Sequence, residues 1–159
     1  MTPLSSRSER QRKKLLQKAA AVLARNARLS MADLATEMES SRATLYRYFP
    51  TREALVRELA LDSIEETDRA VEGIYAGLRS YKDVFRVTLE AVIPLGDRYH
   101  FLMSERGLDD DEDVAREMRR QEQQMQKLIV EAQHAGELSD SLSPRWVAKH
   151  FDAVVLLAW

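Results

Sequence analysis

The sequence predicts an all-α chain in which a small basic head, residues 1–51, is followed by a helical body, residues 52–159. Three observations lead there. Only five Gly and four Pro punctuate 159 residues, so little interrupts helix. Apolar residues recur at helical rather than alternating spacing along most of the chain. The net charge of −2 also hides a split: residues 1–57 carry twelve Lys and Arg against five Asp and Glu, net +7, and residues 58–159 carry twelve against twenty-one, net −9. Polyanion binding is thereby confined to the head, because the acidic body is repelled from a phosphate backbone.

The helices follow in order. Leu15, Leu16, Ala19, Val22, Leu23 and Ala27 mark a first helix from about Glu9 to Asn26, opened by Arg7, Arg10, Arg12, Lys13 and Lys14. Ser30 is a good N-cap, Asp33 complements the dipole in the first turn, and Leu34, Ala35 and Met38 give a second helix about two turns long. Ser41 caps a third helix that runs to about Tyr48, since Pro50 biases Phe49 away from helical geometry. Thr51 opens a fourth helix. Leu55, Leu59, Ala60, Ile64, Thr67, Val71 and Ile74 carry it to about Ala76, where Gly77 ends it.

The body continues with a helix from about Tyr81, apolar at Val84, Phe85, Thr88, Leu89 and Val92, and broken by Pro94 with Gly96. A short helical piece, Asp97 to Glu105, carries Tyr99, Phe101, Leu102 and Met103. Beyond the acidic run 109–113 lies a helix with Val114, Met118, Met125, Leu128, Ile129 and Ala132. Ser143 and Pro144 open the last one, apolar at Trp146, Val147, Phe151, Val154, Val155 and Leu157.

The third helix holds the most specific chemistry. Leu45 and Phe49, four apart, face inward, and Arg42, Ala43, Tyr46 and Arg47 occupy the other side. Arginine offers a rigid donor fork for guanine edges or phosphate, small Ala43 lets a backbone approach, and tyrosine hydroxyls donate to phosphate oxygens. A short helix, a sharp turn and such a second helix form a helix-turn-helix, whose second helix enters the DNA major groove.

The stretch LATEMESSRATLYRYFPTREAL resembles the DNA-binding signature of the tetracycline-repressor family, with Thr44, Leu45, Tyr46, Tyr48, Phe49, Arg52, Ala54 and Leu55 in one register. The likeness is strong over residues 10–57; beyond them Gly136 to Leu138 and the Pro144-Arg-Trp helix start agree more weakly. It implies an N-terminal three-helix helix-turn-helix DNA-binding domain and a helical ligand-binding and dimerisation body. Arg42, Ala43 and Arg47 would lie against base edges, and Thr44, Tyr46, Tyr48 and Arg52 would hold phosphates. Ser30 and Ser41 would cap the motif's helices and reach the DNA backbone, and the arm with Arg10, Lys13 and Lys14 would add nonspecific phosphate or minor-groove contacts. In the turn, where the family places Gly and an aliphatic residue, this chain has Glu39 and Ser40. A left-handed Glu39 would carry strain of roughly 1 kcal/mol, so a looser turn is expected.

The same resemblance implies a homodimer on a palindromic operator in double-stranded DNA and a small-molecule effector among the body helices. Phe85, Thr88, Leu89, Val92, Phe101, Met118, Gln121, Met125 and Trp146 are the ligand candidates on compatible stripes, although each also fits ordinary core packing. The family continues the terminal helix and adds another, so the resemblance leaves two expectations for this end: a C-terminally shortened chain, or a terminal helix that packs alone against a partner.

Other chemistries find no support in the residues. There is no cysteine, as suits a reducing cytoplasm. Residues 109–113, DDDED, lack the alternation and glycine of a calcium loop, and His100, His134 and His150 have no ligand spacing, so no metal and no cofactor is expected. Neither a phosphate loop nor a serine elbow occurs, which argues against an enzyme. The longest apolar run, Ala153 to Trp159, is too short to span a bilayer, so a cytoplasmic protein with no membrane partner is expected. A ligand-responsive repressor is the leading expectation. The alternatives are a DNA-independent helical binding protein or enzyme, and a constitutive DNA binder without an effector.

Overall fold

A computed structural model describes residues 6–74, 77, 80–108 and 110–159. Among these the elements are all helical: α1 (Ser6–Leu23), α2 (Met31–Glu37), α3 (Arg42–Tyr48), α4 (Arg52–Val71), α5 (Tyr81–Val92), α6 (Gly96–Tyr99), α7 (Glu112–His134) and α8 (Pro144–Ala158). Short 3-10 turns at Ile93–Leu95 and His100–Ser104 flank α6.

The head is organised by caps and one core. Ser30 Oγ accepts from the Asp33 amide at 3.2 Å, Ser41 Oγ from the Thr44 amide at 3.1 Å and Thr51 Oγ1 from the Ala54 amide at 3.1 Å, so α2, α3 and α4 each start on a hydroxyl that satisfies an orphan N–H. Leu15, Ala19 and Leu23 of α1 pack with Leu34 and Met38, with Leu45 and Phe49, and with Leu55 and Leu59 of α4. The first turns of α4 therefore complete the head's interior while the rest of the same helix runs into the body.

The turn between α2 and α3 is tight, which corrects the looser turn expected from Glu39-Ser40. The Ser40 amide bonds Ala35 O at 2.9 Å and the Glu39 amide bonds Thr36 O at 3.0 Å, the paired bonds of a Schellman motif. Glu39 takes the left-handed position that this motif requires, with φ +51°. Lys18 adds a third tie by donating to Met38 O at 3.0 Å.

Three other expectations change. α1 begins and ends earlier, at Ser6 and Leu23. Helix α4 stops at Val71, with Glu72 extended after it; the expected end at Ala76 lies outside the described residues. Helix α5 ends at Val92, before Pro94, as expected, but Gly96 is itself helical, with φ −55°, and buried. Its missing Cβ is what the packing uses, because a methyl there would run into the Trp159 indole.

In the body, α7 and α8 form an antiparallel pair, and α4 packs against both α5 and α7. The α5 N-terminus is capped from a distance: Glu137, in the α7–α8 connection, accepts from the Tyr81 amide and the Ser80 hydroxyl, both at 2.8 Å. Tyr99 and Phe101, from the α6 region, reach back into the head's core. Tyr99 is fully buried and donates its hydroxyl to Asp62 at 2.8 Å; burial first, and then this bond, push the phenol well above its ordinary range.

Candidate nucleic-acid interface

Helix α3 presents the expected face. Leu45 and Phe49 are buried, whereas Ser41, Arg42, Ala43, Tyr46 and Arg47 are exposed. The two burial classes separate along the helix as its period requires, leaving a strip of a small residue, two guanidiniums and a phenol turned outward. The Ser41 and Thr44 hydroxyls lie 2.8 Å apart, so cap and phosphate candidate form one polar corner at the helix start. Ser30 also donates to its own first-turn carboxylate, Asp33, at 2.6 Å.

At the other end of α3 the side chains hold each other. Arg47 stacks its guanidinium 4.9 Å above the Tyr48 ring centre and donates to the phenol oxygen at 3.4 Å. The Tyr48 oxygen also lies 3.3 Å from Ser8 Oγ of α1. These neighbours, Ser8 first and then Arg47, lower the Tyr48 phenol below its ordinary value. A phenol supported this way is aimed before any ligand arrives. Ser8 had no signal in the sequence, because its partner lies forty residues away.

The basic arm divides. Arg10, Lys13 and Lys14 are exposed on α1. Arg12 turns inward, pairing with Glu58 and lying 5.6 Å over the Phe49 ring. Lys14 and Lys18 share a small cleft with Glu39, which places the acidic turn residue among cations of α1 rather than by itself.

Arg52 departs most from expectation. Its guanidinium donates to Leu29 O at 2.8 Å and to Ala27 O at 2.7 Å, and pairs with Glu105 of the body. Three of the five N–H groups of this fork are thus engaged by internal acceptors. The acidic run is likewise structural: Asp111 caps α7, accepting from the Asp113 and Val114 amides at 3.1 and 3.0 Å, and Asp111 and Asp113 both pair with Arg57. Asp109 lies outside the described residues.

The nine ligand candidates occupy different settings. Thr88 and Val92 are buried, Phe85 meets Phe151 at 6.0 Å, and Gln121 bonds Ile64 O at 3.2 Å and Asp68 at 2.9 Å. Leu89 and Met125 are half-buried. Phe101 belongs to the head's core, and Met118 and Trp146 are exposed, the latter stacked on His150 at 3.7 Å. A cleft of about 520 Å³ lies at the head–body junction, lined by Arg52, Arg57, Ser104, Glu105, Arg106 and Asp111 among others, and by none of the nine. Among the described residues no cluster of His, Asp or Glu is arranged to hold a metal ion, and no helix is long and apolar enough to cross a membrane.

Comparison with known proteins bears on the same helices. The family described as "Bacterial regulatory proteins, tetR family" matches residues 15–59. No curated protein sequence matches the chain. Among solved structures, the TetR-like regulator LfrR from Mycobacterium smegmatis, in complex with proflavine, superposes with a TM-score of 0.79 at 23% identity, over 96% of this chain and 84% of that one. AibR, in complex with isovaleryl coenzyme A and operator DNA, gives 0.76 at 15% identity, over 91% and 83%. PfmR from Thermus thermophilus gives 0.72 at 17%, over 96% and 84%. At such identities the likeness is one of fold.

Proposed function

We propose a repressor released by a small molecule as the function of this chain, which by its residues 15–59 belongs to the tetR family of bacterial regulatory proteins. It is a helix-turn-helix transcription regulator, and the finer reading rests chiefly on the outer face of α3. There Arg42, Ala43, Tyr46 and Arg47 stand exposed on a helix whose inner face is locked into the core. In this reading Arg42 and Arg47 read base edges past Ala43. Thr44, Tyr46 and Tyr48, with Ser30 and Ser41, hold phosphates on either side, and Arg10, Lys13 and Lys14 extend the contact along the backbone.

Two copies would present two such heads to a palindromic operator. The apolar outer side of α8, with Trp146, Val154 and Leu157 exposed, is the surface proposed to join them. The effector is proposed to enter among α4, α5, α7 and α8 near Phe85, Thr88, Leu89, Val92, Gln121 and Met125. The neighbours supply a precedent in the same fold, since AibR was captured with an acyl coenzyme A and its operator, and LfrR with proflavine. Effector binding would favour a head spacing that misfits successive major grooves.

Selection of duplexes from a random pool, followed by a salt titration on the winning sequence, tests the DNA reading. A palindrome whose affinity falls steeply with salt is expected. Arg42→Ala should relax preference at one base pair, costing about 1–3 kcal/mol there. A chain that selects no sequence, or binds without salt dependence, does not read DNA this way. A duplex bound equally well in the presence of every ligand that occupies the body would remove the effector and leave a constitutive DNA binder.

A further inference from the structure

The arginine that opens α4 is shared between three segments that are far apart in sequence. Its fork reaches the carbonyls of Ala27 and Leu29, in the turn that delivers the chain from α1 to α2, and the carboxylate of Glu105, where the 3-10 turn after α6 ends. The Glu105 side chain is largely withdrawn from water, 15% exposed, and Arg52 is 27% exposed, so the pair is screened less than one on the open surface. Ala27 and Leu29 themselves pack against the head's core, and Leu29 directly precedes the Ser30 cap of α2. Moving Glu105 therefore pulls on the turn from which the first helix of the helix-turn-helix starts.

The neighbouring charges run parallel to this tie. Arg57, about one and a half turns further along α4, pairs with Asp111 and Asp113 at the start of α7, and Glu58 beside it pairs with Arg12 of α1. Arg57 keeps its proton more firmly than a free guanidinium, because the attraction of Asp111, Asp113 and Glu58 outweighs the larger single effect of burial. The seam between head and body is thus closed by these ionic contacts together with buried Tyr99 and Phe101.

We propose that Glu105 is a positioning residue for DNA binding: through Arg52 it holds the α1–α2 turn, and with it the helix-turn-helix, in the orientation that fits the groove. Arg52 acts as the connector and makes no phosphate contact of its own. The inference rests on the DNA-binding reading above and adds to it a body residue that touches no DNA. It also gives the acidic loop side of the body a direct grip on the head, one that does not pass along the length of α4.

The competing role for Arg52 predicts the opposite sign at Glu105. Were Arg52 a phosphate contact, Glu105 would compete with DNA for it, and removing the carboxylate would strengthen binding. The experiment measures duplex affinity across a salt series for Glu105→Ala, Glu105→Gln, Arg52→Ala and the double variant Arg52→Ala with Glu105→Ala, together with amide hydrogen exchange of residues 24–31 in each free protein. The connector role predicts that Glu105→Ala and Arg52→Ala each weaken binding about five- to tenfold and that the double variant is no worse than either alone. The salt slope should stay unchanged, and Glu105→Gln, which can still accept from the fork, should recover part of the loss. Residues 24–31 should exchange faster in Glu105→Ala than in the native chain. Tighter binding by Glu105→Ala, or a salt slope reduced by about one in Arg52→Ala, overturns the proposal. So does exchange at residues 24–31 that ignores Glu105. If the native chain binds no duplex while Arg52 and Glu105 still govern that exchange, the DNA reading fails and the mechanical link stands.

Discussion

Two helices of this molecule end in the same motif with opposite residues at its critical position. After α2, amide bonds from Glu39 and Ser40 return to Thr36 and Ala35; after α7, amide bonds from Gly136 and Glu137 return to Gln133 and Ala132, all at 2.9–3.0 Å. The left-handed residue is Glu39 in the head, at φ +51°, and Gly136 in the body, at φ +75°. The body uses the residue that adopts this conformation without cost. The head imposes it on a residue with a Cβ, and does so with a buried core on both sides of the turn and a lysine bonded to the Met38 carbonyl. Tertiary packing overrides local preference in the head, whereas in the body local preference sets the turn and polar ties such as Glu137 on the α5 N-terminus supply much of the long-range order.

The contrast can be broken most forcefully by emptying the head's core. Leu34→Ala, next to the turn and fully buried, should cost about 2–5 kcal/mol in chemical denaturation, and the strained turn should be lost with it. A loss below about 1 kcal/mol would mean that the core does not hold Glu39 in place.

Next in size is the tie between α4 and α6. Tyr99→Phe leaves Asp62 without its buried donor and should cost about 1–3 kcal/mol near neutral pH. The Tyr99 phenol is raised in the folded state, so its contribution is complete below the unfolded value of 10.0 and is lost as pH rises above that, when the unfolded chain releases the proton first. A stability profile should fall on the alkaline side in the native chain and fall less steeply in Tyr99→Phe. Parallel profiles would detach the alkaline loss from Tyr99.

The two turns give the finest comparison. Gly136→Ala meets no atom within 4 Å of its new Cβ, so only the left-handed backbone resists it, and a loss of about 1–2 kcal/mol is expected. Glu39→Gly should run the other way and raise the melting temperature, by at most about 1 kcal/mol in stability, because relief of strain is partly offset by a more flexible unfolded chain. A destabilised Glu39→Gly would show that the glutamate's place beside Lys14 and Lys18 outweighs its backbone strain.

What the sequence revealed follows the same division. Caps at Ser30, Ser41, Thr51 and Ser143 act over three residues, and the inward pair Leu45 and Phe49 over four, so each was legible from local spacing. Glu39 was legible as a departure from a family pattern, but the tightness of its turn was not, because Lys18 and the core that close it come from α1. Arg52 read as a phosphate ligand from its place at a helix start; the acceptors it meets within the chain lie 23, 25 and 53 residues away, beyond any periodicity. Phe101 had the composition of a pocket residue, and only the return of the α6 region to the head shows that it serves the core there. Gly96 looked like a breaker because the indole that needs its bare Cα comes from residue 159.

That indole gives the molecule a built-in optical gauge. Trp159 packs against the edge of the head's core with its N–H 3.4 Å from Val92 O, while Trp146, the other tryptophan, stands half exposed on α8 beside His150. One fluorophore therefore sits on the seam and the other on the half-exposed face of α8. With Trp146→Phe as the background, emission from Trp159 alone should shift to the red and become open to acrylamide quenching whenever head and body separate, reporting that separation without an added dye.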